Sequence, residues 1–146
     1  MGVPANGRLT SRFSNRGLCR KLEEVFEDRR IADVRTMLCI PTVEHSKALP
    51  KVLKTPHYKP LFNDARYLMS DVALATSAAP TYFPAIQIED NDCKIDGGLW
   101  ANNPALVGIA EGFVLGYDVN TTRMLPLELV LISIALRIKW QKGVHL

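Results

Sequence analysis

No run of apolar residues in this chain is long enough to cross a bilayer, and that sets the first limit on what it does. The most apolar stretch, residues 125–138, contains Pro126, Glu128 and Arg137 and falls short of the roughly 20 residues a spanning helix needs. The first ten residues hold no apolar segment of the kind that directs secretion. Cysteine is scarce: Cys19, Cys39 and Cys93 are odd in number and widely spaced, which argues against a disulfide framework and matches no zinc-finger spacing. Histidine is equally scarce. His45 and His57 stand in loop-like sequence with no carboxylate or cysteine at ligand spacing, so neither is expected to bind a metal. A strong charge of either sign is also missing. The net charge of +3 is too weak to argue for nucleic acid, though it does not oppose contact with an anionic lipid surface. Internal repeats and low-complexity tracts are absent. What remains is a chain of 146 residues, 47% hydrophobic and 23% charged, the size and composition of one soluble domain with a core. A cytoplasmic protein with reduced thiols, touching membranes only peripherally, is the expectation.

The stretch around which the chain is organised is Lys94-Ile95-Asp96-Gly97-Gly98-Leu99-Trp100-Ala101-Asn102-Asn103-Pro104. Ile86, Ile88, Cys93 and Ile95 form a short apolar run that ends at the aspartate. Glycine opens backbone angles closed to other residues, so Gly97 and Gly98 are expected to turn sharply beside Asp96. Asn103 then offers a side-chain oxygen to the free amides of a helix, and Pro104 suits its first position. The expected order is strand, carboxylate on a glycine turn, capped helix. Asp-Gly is also one of the commonest turn dipeptides, so this stretch alone does not establish catalysis.

Upstream, residues 1–16 are polar, with Arg8, Arg12 and Arg16, and read as a flexible, solvated leader. From residue 18, Leu18, Leu22, Val25 and Phe26 fall at helical spacing on a charged helix. Residues 37–43 and 51–55 are candidate strands, and Pro41, Pro50, Pro56 and Pro60 place that region near an edge. Residues 68–80 begin with capping residues and become a run of small side chains. A helix so poor in bulk packs its backbone closely against a neighbour, and Pro80 ends it. Glu89-Asp90-Asn91-Asp92 reads as a hairpin turn. It fails the calcium-loop pattern, because Lys94 stands where that loop needs an oxygen ligand. After Pro104 a helix runs to about residue 115, with Gly108 and Gly112 marking close packing on a sheet and Gly116 as cap. Residues 128–135 read as a strand buried on both faces. Helices alternating with strands give an α/β layer fold.

Two of these stretches carry a resemblance when taken together. Ala75-Thr76-Ser77-Ala78-Ala79-Pro80-Thr81-Tyr82-Phe83-Pro84, followed by Ile95-Asp96-Gly97-Gly98 and Asn102-Asn103-Pro104, resembles the second half of the patatin-like phospholipases, a family of lipid acyl hydrolases. The likeness is clearest over residues 72–111. It implies an incomplete patatin-like α/β layer fold, a sheet flanked by helices, over residues 17–138, with 139–146 as a tail. It also implies a Ser-Asp dyad in which Asp96, in the motif Asp96-Gly97-Gly98, takes the proton of a serine. The scheme needs no cofactor and no metal. Its substrate is a membrane phospholipid or another acyl-ester lipid, and no nucleic acid is involved.

The departures from the family pattern matter as much. The sequence contains no Gly-x-Ser-x-Gly, where the family carries its nucleophile, and no glycine-rich oxyanion loop upstream. Ser77 comes closest, with Ala75 and Ala79 in place of the glycines, but no strand leads into it, so it is not expected to act as nucleophile. After Ile132-Ser133-Ile134 the family tends towards a Gly-Thr-Gly-like turn, whereas Ala135-Leu136-Arg137-Ile138 follows here. Three readings result. The chain is the base-bearing half of a lipid hydrolase, inactive alone and completed by an N-terminal half; or it is a non-catalytic lipid-binding or regulatory remnant, with an apolar groove near Tyr82, Phe83 and Trp100, that pairs with an intact homologue; or it is a truncated frame that does not fold stably.

Overall fold

The structure is a computed structural model that describes residues 11–57, 63–88, 92–118 and 122. Its centre is a four-stranded antiparallel sheet built from β1 (Cys39–Glu44), β2 (Leu49–Lys54), β3 (Ile86–Gln87) and β4 (Cys93–Asp96), in the order β2-β1-β4-β3. Both candidate strands of the proline-rich region form. The second starts earlier than its apolar pattern suggests, at Leu49, and a tight turn with Ala48 at φ 53° joins it to β1. β3 and β4 make the expected hairpin, pairing Ile86 with Lys94 and Gln87 with Cys93. β1 pairs with β4 through Thr42–Asp96, Val43–Ile95 and Glu44–Lys94. Pro41, which lacks an N–H, therefore sits where β4 has already ended, the place in a central strand where a missing donor costs least.

Alternation along the strands sorts the two faces. Ile40 and Leu53 are direct partners, and both join the hydrophobic core with Ile31, Val72, Ala75, Ile86 and Ile88. Two helices cover that face. α1 (Arg16–Phe26) lays Leu18, Cys19, Leu22 and Phe26 against the core, while Val25, assigned to the same stripe from sequence, is 63% exposed. A helix advances 100° per residue, and Val25 falls just outside the arc that Leu18, Leu22 and Phe26 define. α2 (Met69–Thr76) is the small-residue helix, with Met69, Ser70, Val72, Leu74 and Ala75 buried. Its expected side-chain cap does not form: Leu68 is the N-cap, and Ser70 and Asp71 lie already inside the first turn.

The next residues, Cys39 and Lys54, also pair directly and point to the opposite face. There Lys54 meets Glu111 of the last described helix, α4 (Ala105–Val114). Helices thus lie on both faces of the sheet, an α/β layer arrangement consistent with a partial patatin-like fold. α4 ends as expected: Gly116 takes φ 78°, and the Tyr117 N–H donates to the Gly112 carbonyl at 3.0 Å, closing the helix C-terminus. A single helical turn, α3 (Gly98–Ala101), is interposed between the glycines and α4. The sequence reading joined the turn directly to the capped helix. Among the described residues, no helix is long and apolar enough to cross a membrane. The strand expected over residues 128–135, the serine Ser133 and the tail lie outside the described residues.

Candidate active site

Asp96 is the last residue of β4, half-buried, with its strand pairing to Thr42 on one side. Its N–H donates to the Ala78 carbonyl at 3.1 Å, just past the C-terminus of α2, and its Oδ1 accepts the Gly98 N–H at 2.7 Å. Gly98 is the only donor to this carboxylate among the described residues. The side chain is held by its own turn and presented at the C-terminal end of a central strand.

The glycines serve a purpose different from the one expected of them. Gly97 has φ −70° and ψ −20°, ordinary right-handed angles, and among the described glycines only Gly116 has positive φ. What Gly97 supplies is closeness. A Cβ built there would stand 2.1 Å from the Pro41 carbonyl oxygen and 2.4 Å from its carbon, so any side chain would collide with the backbone of β1. At Gly98 a Cβ would come to 3.1 Å from Asp96 Oδ1, crowding the carboxylate it orients. Around this approach the elements are laced together. The Thr76 hydroxyl donates to the Pro41 carbonyl at 2.7 Å, the Gly97 N–H reaches the Thr76 carbonyl at 3.4 Å, and the Trp100 indole N–H donates to the Thr42 carbonyl at 2.9 Å. The small residues of α2 are what let its C-terminus come this near. The start of α4 is shifted by one residue from the expected cap: Pro104, not Asn103, takes the N-cap position, and Asn103, one residue before it, accepts the Ala105 N–H on Oδ1 at 3.0 Å.

Ser77 lies next to these contacts, but its hydroxyl is turned back into α2. It donates to the Ala73 and Leu74 carbonyls at 2.9 and 3.1 Å. Tyr82 and Phe83 pack with Phe13, at ring separations of 6.1 and 6.3 Å. Phe13 comes from the stretch read as a leader, and the N–H groups of Arg12 and Phe13 donate to the carbonyls of Thr81 and Tyr82 at 2.8 Å each. Leu99 and Trp100 remain solvent-facing directly after the glycine turn.

On the opposite face a second polar cluster forms from residues far apart in sequence. Glu111 Oε2 pairs with the Lys54 ammonium, and Oε1 accepts from His57 Nε2 at 2.9 Å. His57 Nδ1 lies 2.7 Å from Thr55 Oγ1. Burial works against the charge on Glu111, but Lys54 and His57 outweigh it and hold the carboxyl below its usual range. Cys39 completes the group. Burial and the nearby Glu111 push its thiol up to about 11. No sequence pattern signals this cluster, because its members are gathered only by strand pairing and helix docking.

Comparison with known proteins places the chain. The sequence model of the patatin-like phospholipases matches residues 6–109. A cGAMP-activated phospholipase of Pseudomonas aeruginosa is 39% identical over 103 residues, covering 70% of this chain and 31% of that protein. One from Vibrio cholerae is 44% identical over 90 residues, 61% of this chain and 25% of that protein. Patatin-like protein 2 of Oryza sativa subsp. indica is 34% identical over 110 residues, 68% of this chain and 26% of that protein. The chain therefore spans between a quarter and a third of the length of these relatives. With its helix-flanked sheet and a family match running across most of its length, this chain belongs to the patatin-like phospholipase family.

Proposed function

We propose that this chain supplies the general-base half of a lipid acyl hydrolase, with Asp96 accepting the proton of a serine that lies outside this sequence. The observation that supports the reading is the setting of Asp96: a half-buried carboxylate at a strand end, oriented by the Gly98 N–H on a turn pressed against Pro41. A serine hydroxyl attacks an ester only when a positioned base takes its proton. The serine oxygen would bond to the acyl carbon while Asp96 receives the proton, and the departing alcohol would take that proton back. Water would then release the fatty acid, with Asp96 again as base. The substrate is a membrane phospholipid or another acyl-ester lipid, and the exposed Leu99 and Trp100 next to the turn suit contact with acyl chains. No described serine hydroxyl is bonded to Asp96, so the chain alone is expected to be inactive.

The test is complementation. The purified chain is treated with a fluorophosphonate and assayed on acyl esters and phospholipid vesicles. Both measurements are repeated after mixing with an upstream segment of a family member that bears Gly-x-Ser-x-Gly. The expected result is no adduct on the chain alone, and hydrolysis in the mixture that falls about 10²–10⁴-fold with Asp96→Asn. An adduct on this chain alone, or restored activity indifferent to Asp96→Asn, overturns the proposal. Vesicle binding unchanged by Asp96→Ala, without complementation, supports the binding-only reading instead.

A further inference from the structure

The cluster opposite the Asp96 face has the composition of a metal site. Cys39 Sγ, a His57 ring nitrogen and a Glu111 carboxylate oxygen all lie within 4.8 Å of one another. Donors bound to one tetrahedral zinc at about 2.0–2.3 Å stand roughly 3.3–3.8 Å apart, so side-chain adjustments alone would close the set. The three come from three different elements: the start of β1, the segment after β2, and α4.

Two other roles fit the geometry less well. As a nucleophile, Cys39 would need a base aimed at its sulfur, but both ring nitrogens of His57 face other groups, Thr55 on one side and Glu111 on the other. A simple ion-pair clamp accounts for Lys54, His57 and Glu111 but gives Cys39 no part. A metal uses all four. It would take Glu111 Oε1 and His57 Nε2 in place of the proton now shared between them, and Lys54 would stay on Oε2 as the partner of the bound carboxylate. Thr55 Oγ1, 2.7 Å from Nδ1, stands where it would accept the ring N–H of a metal-bound imidazole. It would pass its own proton towards the Leu38 carbonyl at 3.5 Å. Metal-binding histidines characteristically have such an outer partner, which fixes tautomer and ring orientation.

We propose that Cys39, His57 and Glu111 form a zinc site, with Thr55 and Lys54 as its outer shell and water at the fourth position. Thiolate, imidazole and carboxylate together suit zinc rather than calcium or magnesium, which take oxygen alone. On binding, one proton leaves the Cys39 thiol to solvent, and His57 meets the metal through an unprotonated Nε2 with its ring N–H on Nδ1. The site pins α4, and with it the turn that follows Asp96, to the edge of the sheet formed by β1 and β2.

Titration of the full chain with cobalt(II), followed by competition with zinc, tests this. A single equivalent is expected to give a thiolate-to-cobalt charge-transfer band in the near ultraviolet, which zinc displaces with Kd on the order of 10⁻⁷ M or below. Cys39→Ser should abolish the band, and His57→Gln or Glu111→Gln should weaken binding at least about 100-fold. Thr55→Ala should weaken it roughly 10-fold, whereas Cys19→Ser and Cys93→Ser should leave the band unchanged. Circular dichroism of each variant separates loss of a ligand from loss of fold. Absence of the band in the unsubstituted chain, or its survival in Cys39→Ser, overturns the proposal.

Discussion

Thr81 holds its backbone at φ 70°, in the left-handed region where a β-branched side chain crowds its own peptide. Its side chain is exposed, and its carbonyl is fixed by the Arg12 N–H, so the strain yields no buried contact. Thr81→Gly should therefore stabilise the chain by about 0.5–1 kcal/mol in urea unfolding, the left-handed penalty less the added freedom of the unfolded glycine. Trp100 presents the reverse case. Its indole N–H satisfies the buried Thr42 carbonyl, and phenylalanine would keep the ring but lose the donor. Trp100→Phe should cost about 1 kcal/mol. Asp96 differs from both: among the described residues, its carboxylate is bonded only within its own turn. Asp96→Asn is thus expected to leave the unfolding midpoint nearly unchanged while lowering activity in the complementation assay about 10²–10⁴-fold, and a large fall in stability would assign Asp96 a structural role instead.

The turn between β4 and α3 works because three elements converge on it. α2 and the residues just after it bring Thr76 and Ala78, β1 brings Pro41 and Thr42, and Pro41 could not approach if residue 97 carried a side chain. Gly97→Ala forces a methyl against the Pro41 carbonyl, so the turn must lift away from β1. The expected cost is about 1–3 kcal/mol, and the peptide N–H groups of Asp96 and Gly97 should exchange with solvent markedly faster. Gly98→Ala, with a closest approach of 3.1 Å to the Asp96 carboxylate, should cost less stability yet disturb the carboxylate more. Comparing the two separates what the turn does for the fold from what it does for Asp96.

The described part of the chain builds its core on one face of the sheet, between β1, β2, α1 and α2, with Leu53 and Val72 fully buried there. The other face carries the polar cluster and α4, whose Leu106, Phe113 and Val114 are exposed. Stability is therefore concentrated on the first face. Leu53→Ala is expected to cost about 2–5 kcal/mol in urea unfolding, a large part of the 5–15 kcal/mol typical of a domain. Substitutions at Leu106 should stay within about 0.5 kcal/mol.

Legibility followed the range of the interaction. Helices α1, α2 and α4, the β3–β4 hairpin and the Gly116 stop could be read from the chain because each depends on residues within a few positions of one another. The family resemblance was legible for a similar reason, since Ala78-Ala79-Pro80 and Asp96-Gly97-Gly98 keep their local spacing. Val25 falls just outside the buried arc of α1, and the first turn of α2 lacks the side-chain cap its sequence predicts, because burial and capping at a helix end depend on what packs beside it. The reason for Gly97 was out of reach: its backbone angles suit any residue, and only the arrival of Pro41 from more than fifty positions away forbids a side chain. Cys39, His57 and Glu111 likewise carry no spacing that a motif could capture. Strand pairing sets Cys39 beside Lys54, and docking of α4 brings Glu111 to both. Local chemistry wrote the elements into the sequence, while close approach between distant segments, which only the folded chain produces, decided what each of these residues touches.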